Sequence, residues 1–136
     1  MKIKLLLYIY ILFLILVSVL PINGTCSTIN HNYILKIRFD YLLHALIYIP
    51  LPMLIGLCSK NIRWWGKDRK VQVNDLNLLI ILLVFAGAME GVQYFIPYRT
   101  FNINDLTANI LGILIGVILS VLLQITISRR VAEEKL

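Results

Sequence analysis

The segment GAMEGVQYFIPYRTFNINDLTANILGILIG, residues 87–116, decides how this chain is interpreted. It joins two apolar stretches, yet it carries acidic, basic and amide side chains: Glu90, Gln93, Arg99, Asp105 and Asn109. An Asp or Arg at the centre of a membrane helix costs about 2.5–3.5 kcal/mol on insertion scales. Polar residues within apolar segments, which carry this insertion cost, indicate either hydrogen bonds that hold helices together or a functional site.

The composition indicates a membrane protein. Of 136 residues, 60% are hydrophobic and 15% are charged, against about 45–50% and 25% in soluble domains. Four apolar segments have lengths near the roughly 17–25 residues of a spanning helix: 5–21, 41–58, 76–97 and 105–127. We predict an all-α polytopic membrane protein with four transmembrane helices in one small bundle, a single domain over residues 1–136. The first segment resembles a signal peptide, but no A-x-A-like cleavage site follows it, so we expect it to remain.

The basic residues predict the orientation. Most of the 13 Lys and Arg residues lie near the N-terminus, in the loop after the second apolar segment and in the C-terminal tail. Because positively charged loops stay in the cytoplasm, both termini are predicted to be cytoplasmic. The net charge of +6 therefore reflects membrane topology, and no nucleic-acid partner is predicted.

With this orientation, the polar residues of the spans share one depth, in the outer half of the membrane. Helical spacing places Asp40, His44 and Tyr48 on one face of the second span. Glu90 is expected roughly 10 Å below the outer end of the third span. Topology alone therefore brings the following candidates together: Asp40, His44, Tyr48, Glu90, Gln93, Arg99, Asp105 and Asn109.

Small residues predict close packing between the third and fourth spans. The loop that joins them is too short to pass another helix. Gly87 and Gly91 lie on one span, and Gly112 and Gly116 lie on the other. Glycines at this spacing are typical of close helix contacts in membranes.

Three local signals complete the prediction of the spans. Pro50 and Pro52 predict a kink in the second span, since proline cannot donate a backbone hydrogen bond. Asn104 is a candidate cap for the fourth span. Asp105 falls in the first turn, where a carboxylate complements the helix dipole.

Two segments resemble the motifs of VanZ-like membrane proteins. FDYLLHALIY, residues 39–48, resembles the first motif, and MEGVQYFIPYRTFNINDLTANILGILIG, residues 89–116, is similar to the second. The resemblance covers about residues 36–120. It departs from the family at Tyr41, where a lysine often stands, and at Ala45, where an aromatic residue often stands. The resemblance implies a bacterial inner-membrane protein; the founding member is associated with resistance to the glycopeptide teicoplanin, and no settled catalytic activity is implied.

The sequence supports two main functional interpretations. In the first, the protein acts on an anionic lipid or a lipid-linked cell-wall or glycan precursor. Candidate acid/base residues are His44, Glu90 and Asp105, and candidate ligand-binding residues are Asp40, Tyr48, Gln93, Arg99 and Asn109. In the second, it is a non-catalytic protein of envelope assembly. A transporter is disfavoured because the polar residues stop halfway across the membrane.

A metal ion is a separate question for the same cluster. Asp40, His44 and Glu90 have the donor atoms to share a divalent ion. The same side chains equally form a hydrogen-bonded Asp–His–Glu network, and the sequence predicts no metal and no other cofactor.

Overall fold

The computed structural model describes residues 2–19, 33–34, 37–58, 73–97 and 101–133. Its helices are α1 (Lys2–Val19), α2 (Phe39–Tyr48), α3 (Pro50–Cys58), α4 (Val73–Gln93) and α5 (Ile103–Glu133). A two-stranded antiparallel hairpin, β1 (Tyr33–Ile34) and β2 (Ile37–Arg38), precedes α2. The prediction of an all-helical bundle is confirmed, with this hairpin as a small addition.

Three segments in the described part of the chain are long and apolar enough to cross a membrane. They are Phe39–Cys58, which comprises α2 and α3, Leu76–Gln93 and Ile103–Ile127. Helix α1 is also apolar but shorter. Many large apolar side chains remain exposed on the outside of the bundle, as helices in contact with lipid tails require. The chain is therefore a small membrane bundle with three long candidate spans and one shorter apolar helix.

The predicted kink in the second span is confirmed. Helix α2 ends at Tyr48, Ile49 forms a turn, and α3 begins at Pro50. Proline is favoured at the first position of a helix, and it disfavours helical geometry in the residue before it. The Ile49 N–H still donates to the Ala45 carbonyl at 3.3 Å. The Tyr10 hydroxyl of α1 donates to the Ile47 carbonyl beside the kink, so a side chain of a neighbouring helix supports the bend.

Helix α5 is the centre of the bundle. It packs most extensively against α2 and also contacts α3 and α4, while α1 packs against α3 and α4. The buried apolar core lies where these helices meet and contains Leu14, Tyr48, Leu51, Leu82, Ala86 and Ile113. This arrangement holds the polar end of α2 against the first turns of α5.

The glycines of α5 pack against the kinked second span. A Cβ atom on Gly112 would lie 2.2 Å from the Ala45 carbonyl oxygen, and one on Gly116 would lie 2.2 Å from the Ile49 carbonyl oxygen. Backbone therefore touches backbone at both positions, which only glycine permits. The prediction that these glycines pack against the third span is wrong, because the bundle places α2 and α3 on this face of α5.

The glycines of α4 have a different environment. A Cβ atom on Gly87 or Gly91 would meet no described heavy atom within 4 Å outside its own stretch of helix. Their role as a packing face for α5 was therefore also predicted wrongly. The spacing of small residues along a helix identifies a face that can pack closely. It does not identify which neighbouring helix packs against that face.

Helix α4 ends at Gln93, before the predicted boundary at residue 97. Residues 94–96 continue as a tighter turn, in which Tyr94, Phe95 and Ile96 donate to the carbonyls three residues earlier at 3.1–3.2 Å. Pro97 contributes to this ending because it disfavours helical geometry in the residue that precedes it. Glu90 consequently lies in the last turn of α4, closer to the helix end than expected.

Candidate functional site

One face of α2 lines a cavity of about 110 Å³ at the polar end of the bundle. Asp40, Leu43, His44, Ile47 and Tyr48 form that face. The other helices complete the lining with Leu14, Val17 and Ser18 of α1, Gln93 of α4, and Asn109 of α5. Four helices therefore contribute to one cavity.

The lining of this cavity is divided between apolar and polar groups. Leu14, Val17, Leu43 and Ile47 supply hydrocarbon surface, and the remaining lining side chains carry polar atoms. Among these, Gln93 is 5% exposed and Asn109 is 2% exposed. Burying amides is unfavourable unless they form hydrogen bonds or face a polar ligand or water. The cavity therefore combines hydrocarbon surface with buried amide groups.

His44 is the centre of the polar side. Its Nδ1 lies 3.0 Å from Oδ1 of Asn109. Its Nε2 lies 3.8 Å from Oδ1 of Asp40 and 3.9 Å from Oδ2 of Asp105. Both carboxylate distances exceed the roughly 2.7–3.2 Å of a protein hydrogen bond. One imidazole ring is therefore hydrogen-bonded on one edge and faces two carboxylates with the other.

The cluster at His44 is partly accessible. The side chains of His44, Asp40 and Asp105 are 20%, 22% and 11% exposed. One donor atom from each of the three lies within 4.8 Å of the others, and these are the described residues whose donors are placed to share a metal ion. The arrangement offers both an acid/base group and a set of metal ligands.

Glu90 is fully buried and binds the start of α5. Its Oε1 accepts a hydrogen bond from the backbone N–H of Asn102 at 3.1 Å. The first N–H groups of a helix have no partner within the helix, so an acceptor is favoured here. In a capping box an acidic residue of the same helix fills this role; here it comes from α4.

Asn102, rather than Asn104, caps α5. The Asn102 side-chain oxygen accepts from the Asn104 N–H at 3.1 Å, and its carbonyl accepts from Asp105 and Leu106. The prediction that Asn104 is the cap is wrong, because the helix begins at Ile103 and Asn104 is already inside it. The Asn104 amide instead donates to the Tyr41 hydroxyl at 3.3 Å.

A family model described as VanZ/LLP1 matches residues 5–124. The chain belongs to this family. The match begins within α1, so the VanZ/LLP1 region includes the helix that supplies Leu14, Val17 and Ser18 to the cavity. No curated protein and no solved structure shows significant similarity to this VanZ/LLP1 chain.

The structure places seven of the eight predicted site residues of this VanZ/LLP1 protein at one end of the bundle. His44 lies at hydrogen-bond distance from Asn109 and within 4 Å of the carboxylates of Asp40 and Asp105. Tyr48 and Gln93 line the same cavity, and Glu90 holds the start of α5. Arg99 lies outside the described residues.

Two polar residues at this site, Ser18 and Asn102, were not predicted from the sequence. Ser18 lines the cavity from α1, and its signal is a hydroxyl near the end of an otherwise apolar helix. Asn102 binds Glu90 and caps α5. The sequence Asn-Ile-Asn offers two candidate caps, so the choice between them depended on the starting point of the helix.

Proposed function

We propose that this VanZ/LLP1 protein binds an anionic amphiphile in the outer leaflet of the bacterial inner membrane. The ligand class is an anionic lipid or a lipid-linked cell-wall or glycan precursor. The observation that carries the proposal is the mixed lining of the cavity, which combines hydrocarbon side chains with the polar side chains of His44, Gln93 and Asn109. A polar head group and the start of its apolar chain match this combination.

The size of the cavity limits how the ligand is held. Its volume of about 110 Å³ is below the roughly 300–1,000 Å³ of sites that enclose a whole small molecule. The cavity therefore takes part of a head group, and the chain lies along the exposed apolar surface of the helices. Arg99, which stands between Pro97 and Phe101 in the sequence, is the proposed contact for two anionic oxygens.

A catalytic role would use the cluster around His44. The imidazole with Asp105, or with Glu90, would transfer protons at the head group. The alternative is a non-catalytic protein of envelope assembly, and the small cavity favours it because little room remains for a reacting head group and water. Either role is consistent with an influence on teicoplanin susceptibility, which we propose to measure in cells that express the chain.

Ligand binding is tested by native mass spectrometry in mild detergent. The full chain, stripped of lipid, is offered an isoprenoid phosphate and the alcohol of the same chain length. We expect the phosphate to bind and the alcohol to bind weakly. Gln93→Leu places hydrocarbon against the head group and should reduce occupancy by about tenfold, equivalent to about 1.4 kcal/mol.

Gln124→Leu is the matched control for Gln93→Leu. It makes the same chemical change in α5, and the Gln124 side-chain oxygen has no hydrogen-bond partner in the described part of the structure. Occupancy should therefore remain at the parent level. Equal binding of phosphate and alcohol would contradict the anionic head group, and equal losses in both variants would remove the cavity from the binding site.

Catalysis is tested with the same ligands. The parent and His44→Gln are incubated with a panel of isoprenoid phosphates and lipid-linked glycans, and products are sought by mass spectrometry. A new product formed by the parent and lost in the variant supports an enzyme. Binding without any product supports the role in envelope assembly.

The orientation is tested with the two cysteines of the chain. Cys58 ends α3, and Cys26 lies in the sequence between α1 and α2. A membrane-impermeant maleimide added to spheroplasts should label Cys26 and spare Cys58 until the membrane is opened. Labelling of Cys58 alone would reverse the orientation and place the cavity on the cytoplasmic side.

A further inference from the structure

The hydrogen bond between His44 and Asn109 determines which ring nitrogen of the histidine is available. A carbonyl oxygen only accepts hydrogen bonds, so the Nδ1 that lies 3.0 Å from the Asn109 Oδ1 carries the proton. In the neutral form of the ring, the lone pair is then on Nε2. That lone pair faces the carboxylates of Asp40 and Asp105.

This arrangement concentrates negative charge and electron pairs at one point. Oxygens of two carboxylates and the Nε2 of His44 lie within 4.8 Å of one another, in a site that is mostly shielded from solvent. Three side chains from two helices therefore direct possible ligand atoms towards one point. This geometry is the starting point for the inference.

The donor atoms and their spacing suit a metal ion. Ligands about 2.1 Å from a shared ion are about 3.4 Å apart in tetrahedral geometry, and the two nitrogen–oxygen distances here are 3.8 and 3.9 Å. Small rotations of the carboxylates close this difference. Histidines that bind metals also usually donate their other ring N–H to a carbonyl or carboxylate oxygen, and the Asn109 side chain is such an acceptor.

We propose that Asp40, His44 and Asp105 form a binding site for a divalent transition-metal ion, with Asn109 as the residue that orients the histidine. One imidazole nitrogen and two carboxylate oxygens are a ligand set typical of Zn²⁺ or Mn²⁺ rather than of a thiolate-dependent ion. The cavity beside the cluster leaves the remaining coordination positions to water or to an anionic oxygen. Glu90 is not a ligand in this arrangement, since it binds the start of α5.

The metal site goes beyond the proposed lipid function and is tested without lipid. Zn²⁺ binding is measured on the protein alone, and lipid binding is measured by mass spectrometry. The failure of either proposal is therefore recognised separately.

The test is the titration of Zn²⁺ into the full chain after removal of metal with a chelator. The protein is purified in mild detergent with an affinity tag that contains no histidine, and both cysteines are changed to serine so that thiols do not compete. We expect a single class of saturable sites. His44→Gln and Asp105→Asn should each weaken Zn²⁺ binding by more than tenfold while the helical circular dichroism is retained.

Two comparisons distinguish this site from other carboxylates. Glu133→Gln removes an exposed carboxylate at the far end of α5 and should leave the affinity unchanged. Asn109→Asp keeps an acceptor for the His44 N–H and should retain binding. Asn109→Leu removes the acceptor and should weaken binding by about 10–100-fold.

The proposal is overturned if the parent shows no saturable Zn²⁺ binding, a result that requires no variant to fold. It is also overturned if His44→Gln and Asp105→Asn bind as tightly as the parent. A loss in Glu90→Gln combined with normal binding in Asp105→Asn would assign the ion to a different set of ligands, and it would equally refute the site described above.

Discussion

Helices α4 and α5 contain similar sequence features and use them differently. Each has two glycines four residues apart, and each has an acidic residue and an amide close by. In α5 the glycines touch the backbone of the kinked second span, and Asp105 and Asn109 meet His44 on that span. In α4 the positions of both glycines are open, and Glu90 reaches the backbone at the start of α5.

The difference shows how the polar site is held in position. The glycines of α5 set the distance between α5 and the second span, and that distance determines whether Asn109 reaches the His44 ring. Helix α4 acts through one buried carboxylate at its end, which fixes where α5 begins. Close packing and capping therefore position the same cluster from two directions.

The largest expected effect comes from adding a methyl group to the glycines of α5. In Gly112→Ala the new Cβ would lie 2.2 Å from the Ala45 carbonyl oxygen, so the helices must separate. Overpacking of this kind costs about 1–3 kcal/mol, and we expect the upper end because both contacting groups are backbone. Loss of helical circular dichroism during titration with SDS measures the change.

Gly87→Ala is the matched control on α4. Open space surrounds the position among the described residues, and alanine is favoured over glycine inside a helix by about 0.5–1 kcal/mol. The variant should therefore be as stable as the parent or slightly more stable. Equal destabilisation of the two variants would show that the glycines of α4 and α5 are not different in their packing.

Sequence reasoning identified the helices and the polar end of the bundle because both depend on local properties. Apolar length and helical spacing placed Asp40, His44 and Tyr48 on one face, and that face lines the cavity. Pro50 marked the kink because its ring acts on the residues next to it. These features follow from bonded geometry and periodicity, which the sequence contains directly.

The features that the sequence did not predict depend on tertiary packing. Gly112 packs against α2 rather than α4, and this contact depends on how all the helices of the bundle pack together. The sequence did not predict that α4 ends at Gln93. Tyr94, Phe95 and Ile96 continue the apolar stretch, although they form a turn. The sequence also did not predict that His44 lies beside Asp105 while Glu90 binds Asn102. These contacts depend on the three-dimensional arrangement of α4 and α5.

The second prediction concerns the carboxylate that joins α4 to α5. Glu90→Leu removes the acceptor for the Asn102 N–H, and a buried donor left without a partner costs about 1–3 kcal/mol. Glu90→Gln keeps an oxygen acceptor and nearly the same volume. We expect the leucine variant to lose stability in the SDS titration, and the glutamine variant to lose less than about 1 kcal/mol.

The glutamine variant also separates the structural role of Glu90 from a functional one. We predict that the ionisable group of Glu90 matters more than its volume, so Glu90→Gln should accumulate normally but support the cellular phenotype less well than the parent. If this variant binds the ligand as well as the parent and supports the same cellular phenotype, Glu90 serves only to hold the two helices together.

The smallest predicted effect compares two asparagines of the same short segment. Asn102→Ala removes the side chain that caps α5 but keeps the N–H that binds Glu90, and loss of a cap costs about 1 kcal/mol. Asn104→Ala removes an exposed contact with Tyr41 and should cost less than half as much. Asn102→Asp retains a capping oxygen and should restore stability to nearly the parent value. If Asn104→Ala proved the more damaging variant in the SDS titration, α5 would begin later than Ile103, and the contact of Glu90 with its first turn would have to be reassigned.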